Sequence, residues 1–267
     1  IKTRIIGGQS ARAGQFPFAA AIHVQTNDSK FFCGGALTGN EWVITAGHCV
    51  YNAVLFTIQL GSNHLVSDDP DRMIVATSTY ILHPDFNPDT IENDIGLIKF
   101  RRPVDYNSEL ILTVKTESYK FLLIVAYLGP VFAWPLNLQD YAKVYALGWG
   151  QITDPELSND LQYVFVSTIS NLECQMVYGN QIKDSMVCIA GNYNEGTCTV
   201  CGFIILLILL GDNGGPLVAT SGKYYTLVGI ASFISANGCE STDPSGYTRT
   251  FPYFDWISNM TKGETLY

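Results

Sequence analysis

The sequence predicts an all-β fold, a sandwich or a barrel, closed by one helix near its C-terminal end. Three observations point there. Short segments of β-type alternation recur along the chain, 24 glycines and 11 prolines punctuate them, and one helical period stands near the end. The 267 residues are 47% hydrophobic and 15% charged, enough apolar mass for one or two ordinary domains or a single larger β unit.

In chain order, Ala19–Val24 and Trp42–Ala46 read as the first strands. The cleanest alternation follows: Phe56, Ile58 and Leu60 alternate with Thr57 and Gln59 until Gly61-Ser62-Asn63 stops the run. Ile95–Phe100, Val144–Trp149, Leu161–Val166 and Tyr225–Phe233 continue the pattern. Tyr253, Trp256, Ile257 and Met260 then take the i, i+3, i+4, i+7 spacing of one buried helical face, and Pro252 suits the first turn of a helix over about 252–262. The longest apolar runs are Phe121–Trp134, interrupted by Gly129-Pro130, and Phe203–Leu210. Both fall short of the roughly 18–20 residues of a membrane-spanning helix.

A net charge of -9 carries no basic stripe, which excludes nucleic-acid binding by phosphate neutralisation and leaves a diffuse acidic surface suited to solubility. Seven cysteines, at 33, 49, 174, 188, 198, 201 and 239, lack the paired spacing of a structural zinc site. They read instead as disulfides of an oxidising compartment, and the sequons at Asn27 and Asn259 fit an extracellular, secreted protein. The opening Ile1-Lys2-Thr3-Arg4 is not a signal peptide and reads as a trimmed chain or a fragment.

Three segments carry chemistry. Thr45-Ala46-Gly47-His48-Cys49 sets a histidine after a strand, Asn93-Asp94-Ile95-Gly96-Leu97-Ile98 sets an aspartate at the head of one, and Gly211-Asp212-Asn213-Gly214-Gly215-Pro216-Leu217 is a glycine-rich loop feeding another. Singly, each has a structural explanation: a strand-end histidine, a turn aspartate, a Gly-Gly-Pro turn. Together, and in this order, they resemble the signatures of the chymotrypsin/trypsin-like serine proteases, which read Thr-Ala-Ala-His-Cys, Asp-Ile-Ala-Leu and Gly-Asp-Ser-Gly-Gly-Pro-Leu. Ile5-Ile6-Gly7-Gly8 after Arg4 resembles that family's activation site, and the resemblance runs from about Ile5 to Met260.

The resemblance implies two packed antiparallel six-stranded β-barrels, over about 19–110 and 140–250, with a C-terminal α-helix and the site in the cleft between them. Residues 1–4 become a propeptide remnant and 5–262 the peptidase domain. His48 becomes the general base and then acid, Asp94 the group that holds its tautomer, and the backbone N–H groups of Gly211 and Asn213 the oxyanion hole. A trypsin-like protease cutting after Arg4 would free the Ile5 amine to pair with Asp212. The family's disulfides fall at Cys33–Cys49, Cys174–Cys188 and Cys198–Cys239, leaving Cys201 alone. The specificity pocket falls on Gly196 as floor, Ser245 nearby and Ser232-Phe233-Ile234 along a wall. With no acid on the floor and Ile234 narrowing the mouth, it suits modest neutral side chains of a protein or peptide. No cofactor or metal is implied.

The chain departs from the family in three places. Asn213 stands where the family has serine, and a carboxamide nitrogen, its lone pair delocalised, has no proton for His48 to take. Loss of the serine from such a triad costs about 10⁶ in kcat, or about 8 kcal/mol of barrier. Val200–Leu210 is an apolar insertion carrying the odd Cys201, and about Val114–Phe132 is apolar without a clean period. These two segments read either as membrane or partner contacts or as translated non-coding sequence. Two functional readings follow: a non-catalytic homologue, or an active serine endopeptidase whose sequence carries an error at 213 and two spurious insertions. A chain that does not fold stably is the third possibility. His23, His64 and His83 match no motif and read as structural, as do Trp42, Trp149 and Trp256 as core aromatics.

Overall fold

The computed structural model describes residues 8–105, 111–116, 119–124, 131, 136–153, 156–191, 213–221, 224–235 and 242–262. The apolar insertion 200–210 and the stretches around Arg4, Gly196 and Gly211 lie outside them.

The N-terminal half holds β1 (Gln9–Ser10), β2 (Ala19–Gln25), β3 (Lys30–Leu37), β4 (Trp42–Thr45), the one-turn α1 (Gly47–Val50), β5 (Leu55–Leu60), β6 (Met73–Thr77), β7 (Thr79–Leu82) and β8 (Gly96–Lys99). All but β1 form one antiparallel sheet in the order β6-β5-β2-β3-β4-β8-β7. Its two edge strands are separated in sequence by Ser78 alone, so the sheet curls until β6 on β5 and β7 on β8 become two halves of one bent strand. Phe56, Ile58 and Leu60 are buried as their alternation predicts, with Ile22 opposite Ile58 across the β2–β5 pair. Each such side chain removed from water contributes roughly 1.5–3 kcal/mol.

β9 (Ile111–Thr116) and β10 (Tyr119–Ile124) form an antiparallel hairpin that overlaps the start of the apolar stretch that shows no period in sequence. The C-terminal half follows with β11 (Lys143–Gly148), β12 (Gln151–Thr153), β13 (Glu156–Leu157), β14 (Gln162–Ile169), α2 (Asn171–Tyr178), β15 (Met186–Ile189), β16 (Pro216–Ser221), β17 (Tyr224–Phe233), β18 (Ser245–Arg249) and α3 (Phe254–Met260). Six of these strands run β14-β11-β16-β17-β18-β15, and β15 pairs back onto β14 to close a barrel, with β1 added on β14. Val144, Ala146, Val164, Val166, Ile189, Leu217 and Val228 fill its interior. The predicted strands are all present, and the trypsin-like pair of β units stands as expected.

Two local expectations change. The last helix is shorter than 252–262: Phe251–Tyr253 forms a 3₁₀ turn and α3 ends at Met260. Of the face expected to be buried, Tyr253 and Ile257 are buried, Trp256 is half-buried and Met260 is 38% exposed, while Thr261 is buried. A second helix, α2, is also present. Its signal is local: Ser170 accepts from the Glu173 N–H while the Glu173 carboxylate takes the Ser170 N–H, a capping box written as Ser-x-x-Glu in the sequence.

The two halves meet through a shared apolar cluster, in which Trp149, Leu161 and Ile257 join residues of the N-terminal half, and through directed bonds. Trp149 Nε1 donates to the Asn63 carbonyl, Leu65 and Asn63 pair with Asn159 and Leu161 through the backbone, and Tyr253 Oη donates to Asn93 Oδ1. The rings of Tyr253 and Trp256 pack on His83, so α3 docks back onto the N-terminal half. These ties bring the ends of β4, β8 and β17 together, and the site lies there.

Candidate active site

His48 sits on α1, directly after β4. Cys49, the next residue, is joined to Cys33 on β3, which fixes the short helix to the neighbouring strand. Cys174–Cys188 is the second bridge, and both are those the resemblance implies. Loops of this length gain about 3 kcal/mol each from closure. The sulfurs of Cys33 and Cys49 lie close to His48, but they are bonded to each other and offer no thiolate for a metal.

Asp94 heads β8 and is buried. Its carboxylate accepts three hydrogen bonds: His48 Nδ1 at 2.8 Å and the Ser232 hydroxyl at 2.6 Å on Oδ2, and the His48 backbone N–H at 2.8 Å on Oδ1. The Thr248 hydroxyl donates to the Asp94 carbonyl. With Oδ2 as acceptor, the network assigns the proton to Nδ1 and leaves Nε2 with a lone pair. Ser232 and Thr248 come from the C-terminal barrel, so the aspartate is held from both halves.

Position 213 is placed by backbone. The Asn213 carbonyl accepts the Gly34 N–H at 2.7 Å, and the Gly214 N–H donates to the Ala231 carbonyl, one residue before Ser232. Gly214 has φ +75°, and a Cβ there would stand 2.1 Å from Thr45 Oγ1 and 2.5 Å from the Gly34 carbonyl. Only glycine allows the loop to lie this close to the strand that leads into His48. Asn213 is buried, at 3% exposure. Its Nδ2 and His48 Nε2 are each out of solvent with no hydrogen-bond partner among the described residues.

The structure thus joins His48 to Asp94 and sets the backbone of residues 213–214 against Gly34 and the end of β4, next to α1. Ser232, expected along the pocket wall, directs its hydroxyl onto Asp94, so any contribution to a wall comes from its backbone. Ser245 is buried in β18 opposite Ile189, and Ile234 is half-buried after β17. Gly196, Gly211, Asp212, Arg4, Ile5, Cys198 and Cys239 lie outside the described residues. The holding roles of Ser232 and Thr248 escape sequence reading. The one hint is a lone hydroxyl at the end of the apolar run Leu227–Ala231, where a buried hydroxyl needs a partner. A hollow of about 300 Å³, lined by His23, Lys30, Phe31, Leu55 and Thr57 among others, contains none of the predicted site residues.

The other histidines are structural. His64 Nδ1 meets Asp160 Oδ1 at 2.6 Å between the two halves, His23 packs edge-on to Phe32, and burial pushes the His83 imidazole below its ordinary range. Trp42 and Trp149 are buried, as expected.

Comparison with known proteins gives one answer. The trypsin family model matches residues 5–257. The chain is 32% identical to Brachyurin of Leptuca pugilator over 259 residues, 96% of this chain and 98% of that protein. It is 34% identical to Collagenase of Hypoderma lineatum over 263 residues, 97% and 87% of the two. A solved structure of HL collagenase matches with a TM-score of 0.78 at 30% identity, covering 97% of this chain and 99% of that one. A structure of GrC, with a TM-score of 0.75 at 24% identity, covering 97% of this chain and 100% of its own, shares the fold. The chain therefore belongs to the trypsin family, that is, to the chymotrypsin-like serine proteases.

Proposed function

We propose that this protein is a secreted, non-catalytic member of the trypsin family that holds a protein or peptide in the cleft between its two barrels. One observation carries the reading: in the segment Gly211-Asp212-Asn213-Gly214-Gly215-Pro216, asparagine occupies the position of the family's nucleophilic serine. In an active relative, His48 would take a hydroxyl proton as the oxygen attacked the scissile carbonyl, and Asp94 would stabilise the imidazolium. The Asn213 amide nitrogen has no available lone pair, so the first bond of that sequence does not form. The intact contacts of Asp94 position a base with nothing to deprotonate.

The extracellular placement rests on the two disulfides among the described residues and on the family. No helix of the described residues is long and apolar enough to cross a membrane. Zymogen activation at Arg4 belongs to the same reading, with Ile5 and Asp212 as the expected ion pair.

The completeness of the His48–Asp94–Ser232 network favours a second reading, an active endopeptidase of neutral, elastase-like preference with a sequence error at 213 and spurious insertions at 114–132 and 200–210. Sequencing the expressed transcript separates the two. An asparagine codon at 213 supports the first reading, and a serine codon with both apolar segments missing establishes the second. For the chain as it stands, Arg4-cleaved protein is expected to leave a fluorogenic peptide ending in alanine or valine intact. Turnover that persists after removal of contaminating proteases contradicts the non-catalytic reading.

A further inference from the structure

We propose that the fold makes Asn27 an N-glycosylation site and withholds Asn259, an inference that rests on the extracellular reading and not on the chemistry of position 213. The two sequons look alike in sequence, Asn27-Asp28-Ser29 and Asn259-Met260-Thr261. The transferase that modifies such a segment reads the hydroxyl two residues on as well as the asparagine, so both side chains must be within its reach. The fold meets that condition at one of the two.

Asn27 stands at the tip of the hairpin that joins β2 to β3, and Asn27, Asp28 and Ser29 are all exposed. Thr26 holds this turn. Its N–H donates to the Ser29 carbonyl at 2.9 Å, and its Oγ1 accepts the Asp28 and Ser29 N–H groups at 3.3 and 3.0 Å. Ser29 Oγ lies 3.0 Å from Thr26 Oγ1, within the same exposed turn. The Asn27 side chain makes no hydrogen bond among the described residues, so a sugar on its Nδ2 displaces nothing.

Asn259 is exposed too, but it lies in the last turn of α3 and its companion hydroxyl is withdrawn. Thr261 is 1% exposed. Its Oγ1 donates to the Ile257 carbonyl at 2.8 Å, and its N–H donates to the same oxygen at 3.0 Å. α3 is anchored in turn, through Tyr253 on Asn93 and through the Tyr253 and Trp256 rings on His83. Reaching Thr261 therefore requires the last helix to open, whereas the Asn27 tip stays within reach before and after folding.

The co-substrate is a lipid-linked oligosaccharyl pyrophosphate. Asn27 Nδ2 bonds to the anomeric carbon of the first sugar, the bond from that carbon to the pyrophosphate oxygen breaks, and the lipid pyrophosphate leaves with the electron pair. One Nδ2 proton passes to a base of the transferase. The transferase, not this chain, activates the amide for that attack.

The test expresses the full chain behind an added signal peptide in eukaryotic cells. N-glycosidase treatment in heavy-oxygen water marks each formerly glycosylated asparagine as a labelled aspartate, and mass spectrometry of the peptides gives the occupancy of each site. In secreted protein, occupancy at Asn27 is expected to exceed that at Asn259 by at least about tenfold, because access to Thr261 waits on local opening. Asn27→Gln is expected to remove the glycan from the secreted chain. Tyr253→Ala, which releases α3 from Asn93, is expected to raise Asn259 occupancy several-fold and leave Asn27 as it was. An unmodified Asn27, equal occupancy at the two sites, or an Asn259 occupancy that ignores Tyr253→Ala overturns the inference. Where a chain is retained in the cells, the retained protein decides by the same ratio. The added signal peptide makes these readouts independent of the chain's own destination, so their failure removes the inference alone. The extracellular reading fails separately, if the native protein is recovered from inside the cell with Cys33–Cys49 and Cys174–Cys188 reduced.

Discussion

Two histidines of this chain meet an aspartate through Nδ1 at similar distances, 2.8 Å for His48–Asp94 and 2.6 Å for His64–Asp160. Their surroundings differ. The side chains of His48 and Asp94 are 12% and 0% exposed, while those of His64 and Asp160 are 50% and 43% exposed. Asp94 is held by His48 twice and by Ser232, so both its oxygens and the histidine ring have fixed places. Water competes for the second pair, which joins the two halves through an isolated backbone bridge. A short His–Asp contact therefore does not identify a reactive site. Burial and additional donors on the carboxylate mark the pair that is held in one geometry.

The comparison is broken most easily at Asp94. Asp94→Ala strips partners from the His48 N–H, His48 Nδ1 and the Ser232 hydroxyl, and a loss of about 3–5 kcal/mol is expected in denaturant unfolding. A loss under 1 kcal/mol would put the buried pair on a par with the exposed one. Gly214→Ala tests the backbone that seats position 213 beside it. Strain at φ +75° together with the Thr45 contact predicts about 2–4 kcal/mol of destabilisation, read from the same curves.

His83 sharpens the comparison along pH. Burial lowers its pKa from an ordinary 6.5, so the folded state favours the neutral ring, whose Nδ1 accepts the Asp85 N–H. The unfolded chain then binds the proton first as pH falls. The stabilising effect is complete above 6.5 and declines as pH drops from there through the lower folded value. Asp85 opposes the shift by favouring the charged ring. His83→Gln is expected to flatten the decline in thermal midpoint below that pH, and an unchanged slope would refute it. The smallest effect belongs to the exposed pair: Asp160→Ala should cost less than about 1 kcal/mol, and less still in high salt.

How far the sequence speaks follows the same division. Alternation at Phe56, Ile58 and Leu60 is legible because one face of that strand is buried and its partner is polar. The His48, Asp94 and 213 segments are legible through their resemblance to family motifs, although each alone looks like a turn. Ser232 and Thr248 are not legible in this way. They reach Asp94 from positions 138 and 154 residues away, and no local pattern encodes a contact made by folding two barrels together. The α2 helix lies between these cases. Its Ser170-x-x-Glu173 box is visible in the sequence, but Leu172 and Met176 face outward, so the helix lacks the buried apolar face that would announce it.

The claim on which the rest depends is that an intact His48–Asp94 pair beside Asn213 forms no covalent bond to substrate. Intact-mass spectrometry after incubation with an organophosphonate serine probe reads this directly, with Asn213→Ser prepared alongside. The account predicts an unlabelled native chain and one adduct on the serine variant. A single stoichiometric adduct on the native chain, mapped to residues 211–216, would contradict it.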